Sequence, residues 1–184
     1  RCCIKYMTIE NNQLCINGIT AESLVEDYGS PLYVYDAQCI RQKFRQFRAA
    51  FPFSNLDVHY ACKANTNLEI LKLLRKEGAC IDAVSTGEVF MALEAGYPAD
   101  TILFTGNSVT DEEMRYFIER QILINIDSIS QLERYGRMAP DTDMALRINP
   151  NVGSGHHDHC ITGGADSKFG IPSTSLGDVD SLVN

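Results

Sequence analysis

Strand-like and helix-like segments alternate along most of this chain at a nearly constant spacing. Five short apolar stretches begin at residues 56, 79, 101, 122 and 144, so their starts are 21 to 23 residues apart. Because a helical segment separates each pair and carries the chain back, the strands must run parallel. The spacing therefore predicts repeated βα units, with strands at 56–61, 79–84, 101–106, 122–127 and 144–149.

Residues typical of helix ends mark the segments between these strands. A Ser or Thr followed three residues later by Glu forms a capping box, and a Gly after the last turn ends a helix. The predicted boxes are Ser85–Glu88, Thr110–Glu113 and Ser130–Glu133, and the predicted terminal glycines are Gly78 and Gly96.

The part of the chain before the repeat has a less regular pattern. Turn residues, a Thr at a helix start and apolar residues at helical spacing define its elements. The predicted elements are a hairpin at 11–18, a helix over 21–28 between Thr20 and Gly29, a strand at 32–36 and an amphipathic helix over 37–50.

The repeat stops after Asn149, where a glycine-rich stretch begins. Two α/β architectures fit the preceding units: a doubly wound open sheet of five strands, or about the first five units of a parallel (β/α)8 barrel. At about 22 residues per unit, a whole barrel needs roughly 60 to 70 residues more than this chain has. No G-x-G-x-x-G follows the first strand, which argues against a dinucleotide-binding fold. Periodicity alone does not separate the barrel from the open sheet.

The composition and charge of the chain argue against a membrane protein and against a nucleic-acid-binding protein. With 45% apolar and 22% charged residues the chain resembles an ordinary globular domain, and no window holds 18 uninterrupted apolar residues. The N-terminus lacks the apolar core of a secretory signal, so we expect a cytoplasmic protein with no membrane partner. The formal net charge of -8 and the lack of a basic run argue against nucleic acid as a partner.

The cysteines favour the same compartment. Seven of them are scattered without C-x-x-C spacing, which is typical of reduced thiols in a reducing environment. Because the chain begins with Arg1 and not with Met, we also expect it to be a trimmed or partial chain.

Lys63 is the first candidate for chemistry, because it follows directly on the first predicted strand. An ammonium at the end of a core strand is costly to desolvate, so this lysine is either a snorkelling surface residue or a functional amine. A functional amine condenses with a carbonyl, which requires the neutral nitrogen and a pKa below the usual ~10.4. Pyridoxal phosphate is the commonest cofactor that is held in this way.

Other polar residues follow later strands of the repeat. Because parallel strands end at one edge, we expect these residues to gather where sites are built, although strand ends are also where polar residues ordinarily begin. Asp82 lies within an apolar run and needs a partner, for which Arg147 is the obvious candidate; a structural ion pair is the alternative reading. The remaining positions of this kind are Thr105, Gly106, Asn107 and Asp127.

A cluster of possible metal ligands lies in the glycine-rich stretch. Imidazole, carboxylate and thiolate all bind zinc or nickel, but adjacent residues cannot all point at one ion. We therefore favour a flexible polar loop and predict no metal; the cluster comprises His156, His157, Asp158, His159 and Cys160.

Seven short motifs, taken together and in order, resemble one family. They are GSPLYVYD (29–36), HYACKAN (59–65), DAVSTGE (82–88), FTGN (104–107), NIDS (125–128), RINPNV (147–152) and ITGGADSKFG (161–170). This ordered set, from about residue 14 to 172, resembles the diaminopimelate decarboxylases, which belong to the barrel-type, alanine-racemase-like class of pyridoxal phosphate enzymes.

The resemblance implies roles for individual residues. Lys63 would carry pyridoxal 5'-phosphate covalently, and Asp82, Glu88, Arg147 and His157 would lie around that cofactor. For Glu88 the capping pattern is a sufficient alternative explanation. His157 matches more loosely, because Gly155 and His156 replace the residues that usually precede the family's histidine. Residues 167–170 correspond to the family's SKFG loop.

The resemblance also implies an organisation and a function. Residues 1–36 would join a β-sheet domain and 37–184 would form part of the barrel, while the phosphate loop and the rest of the sheet domain are expected beyond Asn184. The implied activity is decarboxylation of meso-2,6-diaminopimelate to L-lysine by a homodimer. A related amino-acid or polyamine decarboxylase is the alternative within this class. A non-catalytic barrel fragment, whose open sheet edges pair with other chains, is the alternative outside it.

Overall fold

The computed structural model describes residues 6–153, 162–164 and 167–183. The chain divides into two compact units. The first comprises Arg1–Leu56 with Lys76–Gly78, and the second comprises Asp57–Arg75 with Ala79–Asn184.

The first unit contains a small antiparallel sheet and two helices. The strands are β1 (Met7–Glu10), β2 (Gln13–Ile16) and β3 (Ile19–Thr20), paired in that order, and the helices are α1 (Ala21–Tyr28) and α2 (Ala37–Ala49). The Thr20 side chain accepts a hydrogen bond from the backbone N–H of Ser23, and Gly29 follows the last residue of α1 with φ at +82°. Both predicted helices are therefore confirmed. Residues 11–18, predicted as a hairpin, contain β2 and the turns on either side of it, whereas the partner strands β1 and β3 lie outside these bounds.

The strand predicted at residues 32–36 is wrong. These residues form no regular strand, and the side chains from Leu32 to Tyr35 are exposed. Apolar and β-branched composition favours a strand only where another strand is available for pairing. Within the described residues none pairs with this segment.

The second unit contains the βα repeat. Its strands are β4 (His59–Ala61), β5 (Cys80–Ala83), β6 (Ile102–Phe104), β7 (Leu123–Ile126), β8 (Ala145–Leu146), β9 (Ile148–Asn149) and β10 (Ile171–Pro172). The helices that accompany them are α3 (Leu68–Lys76), α4 (Thr86–Glu94), α5 (Asp111–Glu119), α6 (Ile129–Met138) and α7 (Leu176–Val183). Strands β4 to β8 form one sheet in sequence order, and all their pairings are parallel.

The strand order decides between the two predicted architectures. A doubly wound sheet reverses its order at a switch point, whereas a barrel adds each strand beside the preceding one. No reversal occurs from β4 to β8, which is the order of the first five barrel units. The prediction of a partial parallel barrel is confirmed.

The structure adds a sixth parallel strand that the sequence pattern did not show. Arg147 lies between β8 and β9; its N–H donates to the Ile126 carbonyl oxygen at 2.9 Å, and its own carbonyl oxygen accepts from the Ile171 N–H at 2.7 Å. Strands β8 and β9 are thus one strand interrupted at Arg147, and β10 continues the sheet beside it.

Of the three predicted capping boxes, one is complete, one has only its Ser cap and one is wrong. Thr110 and Glu113 form a complete capping box at α5. Ser85 caps α4, but the Glu88 carboxylate accepts from the N–H of Val84 and not of Ser85. The box predicted at Ser130–Glu133 is wrong, since α6 begins two residues earlier.

The cap of α6 is Ser128, whose hydroxyl oxygen accepts from the Gln131 N–H at 3.2 Å. The Gln131 side chain reaches back to the N–H of Asp127 at 2.9 Å. A Ser-x-x-Gln pattern therefore does at α6 what Ser-x-x-Glu does at α4, and it fixes the backbone at the end of β7.

An apolar core lies between the sheet and the helices of the second unit. Phe104 on β6 stacks against Phe117 on α5 with 4.1 Å between ring centroids, and both are almost fully buried. The described helices are 8 to 13 residues long, and none is long and apolar enough to cross a membrane.

Truncation of the Phe117 ring should destabilise the second unit. Phe117→Ala leaves a cavity beneath β6, so we expect the free energy of unfolding to fall by about 3–5 kcal/mol. Phe90→Ala, at a side chain that is 54% exposed, is the control and should change it by less than about 0.5 kcal/mol. Urea denaturation measures both. Equal losses from the two variants would contradict the described core.

Candidate active site

A cavity of about 470 Å³ lies at the carboxyl ends of the parallel strands. This is the edge where βα-repeat proteins build their sites. The residues that line it come from all successive units: Lys63, Asp82, Val84, Thr105, Gly106, Asn107, Asn125, Arg147, Thr162 and Phe169.

Lys63 lies in a single 3-10 turn, Cys62–Ala64, that follows β4 directly. The Asn65 N–H closes this turn on the Cys62 carbonyl oxygen at 3.1 Å, and the Tyr60 hydroxyl donates to the Asn65 carbonyl oxygen at 3.2 Å. These two hydrogen bonds fix the turn that follows β4. Lys63 lies in this turn and lines the cavity.

Asp82, the third residue of β5, lies at the wall of the cavity. Its Oδ1 accepts a short hydrogen bond from the Thr105 hydroxyl, which follows the neighbouring strand β6. The prediction that Arg147 is the partner of Asp82 is therefore wrong. Thr105 is nearer because β5 and β6 are paired neighbours, whereas Arg147 lies beyond β7 in the sheet.

Arg147 instead pairs with Asp127, with 3.5 Å between Nη1 and Oδ1. Its guanidinium carbon lies 4.4 Å from the centroid of the Phe169 ring, a cation–π distance. Arg147 is 29% exposed and Asp127 is 7% exposed at the side chain, so the carboxylate is covered while the guanidinium reaches the cavity.

Glu88 lies behind the cavity wall. Its Oε2 accepts from the Val84 N–H at 2.9 Å, and Val84 itself lines the cavity. Its observed contact is therefore with the backbone that forms the wall. The role assigned to Glu88 at the cofactor stays a prediction.

The described parts of the glycine-rich stretch are tied to the barrel by buried side chains. Asn149 donates through Nδ2 to the Gly164 carbonyl oxygen at 2.9 Å and accepts through Oδ1 from the Gly164 N–H at 3.1 Å. Gly163 comes so close to β9 and its following turn that an added Cβ would lie 2.6 Å from the Val152 carbonyl oxygen. This close approach brings Thr162 to the cavity.

His157 lies outside the described residues, as does the whole cluster from His156 to Cys160. The structure therefore neither places this histidine at the cavity nor excludes it. Among the residues that are described, no group of three possible metal ligands lies together.

Four lining residues were not singled out individually from the sequence: Val84, Asn125, Thr162 and Phe169. Asn125 is the third residue of β7, and its side chain reaches the cavity from inside a strand. Phe169 was noted only within a motif, although its ring forms part of the wall. Strand periodicity would have identified Asn125, since a polar residue inside an apolar strand requires a reason.

Burial shapes the electrostatics beside Lys63. Burial, together with the nearby carboxylates of Glu88 and Asp82, raises the pKa of the Cys62 thiol to about 11. This thiol is fully buried and stays neutral at physiological pH. Since only a thiolate is a strong nucleophile, Cys62 does not compete with the adjacent amine for an electrophile.

The fold and the site define a class: the chain belongs to the pyridoxal-dependent decarboxylase family. Residues 37–183 match the family model described as "Pyridoxal-dependent decarboxylase, pyridoxal binding domain". The expectation of a barrel that binds pyridoxal phosphate is confirmed by this match.

Individual members of the family show a more particular similarity. The chain is 48% identical to diaminopimelate decarboxylase from Methanothermobacter thermautotrophicus over 165 residues, which cover 88% of this chain and 39% of that protein. A solved diaminopimelate decarboxylase from M. jannaschii, in co-complex with L-lysine, has a TM-score of 0.85 at 34% identity and covers 96% of this chain and 44% of that one. The chain thus spans well under half the length of these relatives.

A second solved structure is a lysine/ornithine decarboxylase from Vibrio vulnificus complexed with putrescine. Its TM-score is 0.70 at 26% identity, and the match covers 88% of this chain and 41% of that one. The fold is therefore shared by decarboxylases that are named for different substrates.

The cavity fits pyridoxal phosphate in size and in chemistry. Its volume lies within the range of small-molecule sites, and its wall offers an amine, a carboxylate, a guanidinium and an aromatic ring. Gly106 packs closely on the core at this wall, because a Cβ there would lie 2.4 Å from the Phe104 ring and 2.7 Å from the Val84 carbonyl oxygen. The residues present therefore include an amine for the aldehyde of this cofactor and polar and aromatic groups for its flat ring.

The neutral state of Cys62 is directly testable. Its pKa is raised on folding, so the thiol favours the folded state at low pH, and this contribution is lost as pH rises from the unfolded value toward about 11. We expect no alkylation of Cys62 by iodoacetamide at pH 8 in the folded protein and complete alkylation in urea, measured by peptide mass spectrometry. Rapid labelling of Cys62 in the folded state would contradict the buried, neutral thiol.

Proposed function

We propose that the protein containing this chain decarboxylates meso-2,6-diaminopimelate to L-lysine, with pyridoxal 5'-phosphate carried by Lys63. The observation behind this proposal is the 48% identity to a diaminopimelate decarboxylase across 88% of this chain. The position of Lys63 at the cavity is consistent with it. Such an enzyme is a carboxy-lyase of lysine biosynthesis.

Lys63 has the central role in this proposal. Its amine would hold the aldehyde carbon of the cofactor and would be released when the amine of the substrate takes over that bond. The turn closed by Asn65 keeps the amine at the strand end throughout. When bound, the cofactor supplies a ring that accepts the electron pair left by the departing carboxylate.

Asp82 and Arg147 are proposed as polar contacts of the cofactor. Both line the cavity, and each is oriented by a second residue, Thr105 for Asp82 and Asp127 for Arg147. Preorganised charges of this kind favour binding because no reorganisation is needed when the ligand arrives. Glu88 is proposed to act from behind the wall through Val84, and His157 to contribute from the glycine-rich stretch.

The substrate carries an additional carboxylate compared with lysine or ornithine. The Arg147 guanidinium and the amides of Asn107 and Asn125 give the cavity wall several hydrogen-bond donors for oxygen atoms. A lysine or ornithine decarboxylase is the second candidate, because the Vibrio vulnificus enzyme shares the fold. The lower identity of that match, 26% against 34% for the M. jannaschii structure, favours diaminopimelate.

The same proposal covers domain organisation and setting. Residues 1–36 would belong to a sheet domain and 37–184 to the barrel, in support of which the family match begins at residue 37. The enzyme is proposed to be a cytoplasmic homodimer that acts on a small amino acid.

Loss of the Lys63 amine should abolish turnover. In the full-length protein, Lys63→Ala is expected to lower carbon dioxide release from meso-diaminopimelate by about three orders of magnitude or more. It should also remove the absorbance of covalently held cofactor. Lys72→Ala is the matched control, because Lys72 lies on α3 in a surface pair with Glu69 and should be dispensable. Retention of both signals by Lys63→Ala would disprove the role of this lysine.

Substrate choice is tested in the same assay. The proposal expects carbon dioxide release from meso-diaminopimelate and at least about a hundredfold lower kcat/KM with L-lysine or L-ornithine. Faster turnover of L-lysine or L-ornithine by the unmodified protein would support the second candidate.

A further inference from the structure

Asp127 is a buried carboxylate that does not itself line the cavity. It is 6% exposed and follows directly on β7. Its Oδ1 accepts from the backbone N–H of Gly170 at 3.0 Å, although the two residues are 43 positions apart in the chain. The same oxygen lies 3.5 Å from Nη1 of Arg147.

One of the two groups that contact Asp127 lines the cavity, and the other is next in the chain to a residue that does. Arg147 lines the cavity, and so does Phe169, which directly precedes Gly170. The Arg147 guanidinium lies 4.4 Å from the Phe169 ring centroid. One carboxylate oxygen therefore joins two parts of the wall that contact each other on the cavity side.

The position of Gly170 is tightly restricted. Its φ is +81°, and an added Cβ would lie 3.1 Å from both the Arg147 carbonyl oxygen and the Asn149 N–H nitrogen. The segment thus lies directly on the β8–β9 backbone, where its N–H can reach Asp127. The next residue, Ile171, is held by its N–H on the Arg147 carbonyl oxygen, and the Asp127 carboxylate holds Gly170 itself.

Asp127 occupies this position at an energetic cost. Burial raises the pKa of its carboxyl, and the Gly170 N–H, Arg147 and Lys168 act in the opposite direction without cancelling the effect. A neutral Asn of the same shape would keep the acceptor oxygen and avoid the buried charge. Stability alone does not account for an aspartate here.

We propose that Asp127 is a positioning residue: its carboxylate orients the Arg147 guanidinium and fixes the Phe169–Gly170 segment, so that both are preset for pyridoxal phosphate. The role rests on the proposed function, because Arg147 and Phe169 are the groups through which Asp127 acts. Asp127 itself does not touch the cofactor.

Comparison of the unmodified protein with an Asp127 variant separates the effect of the carboxylate on stability from its effect on cofactor binding. In the full-length protein, Asp127→Asn retains an acceptor for Gly170 but loses the charge opposite Arg147. We expect the dissociation constant for pyridoxal phosphate, from absorbance titration, to rise on the order of tenfold. The denaturation midpoint of the cofactor-free protein should be unchanged or higher. Asp127→Ala, which also removes the acceptor, should weaken binding further.

A double-mutant cycle shows whether the effect passes through Arg147. In an Arg147→Gln background, Asp127→Asn should leave the dissociation constant unchanged within about twofold. The control is Asp111→Asn, which breaks another Asp–Arg pair, to Arg134 at 2.7 Å, between α5 and α6 and away from the cavity. That variant should leave cofactor affinity unchanged.

The results that would contradict the positioning role differ from those that would contradict the proposed function. Wild-type affinity in Asp127→Asn, or effects of Asp127→Asn and Arg147→Gln that simply add, would overturn the positioning role and leave the proposed function intact. If the unmodified protein binds no pyridoxal phosphate, the proposed function fails and this inference fails with it.

Discussion

Parallel pairing of successive strands in sequence order is the constraint on which the site depends. Each βα unit ends its strand at the same edge, so groups about 20 residues apart in the chain meet at one cavity. Lys63 follows β4, Thr105 follows β6 and Arg147 interrupts the fifth strand. No local feature of the chain would bring these three side chains together.

Polar groups of the cavity wall have partners on neighbouring strands of the sheet. Thr105 donates a hydrogen bond to Asp82, and Asp127 forms an ion pair with Arg147. The same arrangement recurs at two helix starts, where Glu88 and Gln131 reach back to the backbone N–H of the residue before the cap. Each supporting group satisfies a polar atom that would otherwise be costly to bury beside an apolar core. The wall is therefore polar, and its Asp82 and Arg147 side chains have partners within the protein.

The sequence was sufficient for the repeat and for the candidate amine, because both rest on local patterns. Apolar periodicity located β4 to β8, and Lys63 was apparent as a charge directly after a strand. The partners of the polar site residues could not be predicted from local patterns. Asp82 pairs with Thr105 and not with Arg147, which depends on which strands are neighbours in space.

Other misses have equally specific causes. Strand β10 is two residues long and contains Pro172, so no periodicity reveals it. Residues 32–36 have strand composition but no partner among the described strands, and the cap of α6 is Ser128 because Gln131 can replace Glu in the pattern. His157 lies outside the described residues, and its role stays a prediction.

The central claim is that the amine of Lys63 carries the cofactor. Reduction with borohydride in the presence of pyridoxal phosphate fixes the cofactor permanently to the amine that holds it, and peptide mass spectrometry then locates it. We expect one modified site per chain, on the peptide that contains Lys63. Modification of another lysine, or labelling spread over several surface lysines with Lys63 unmodified, would contradict it.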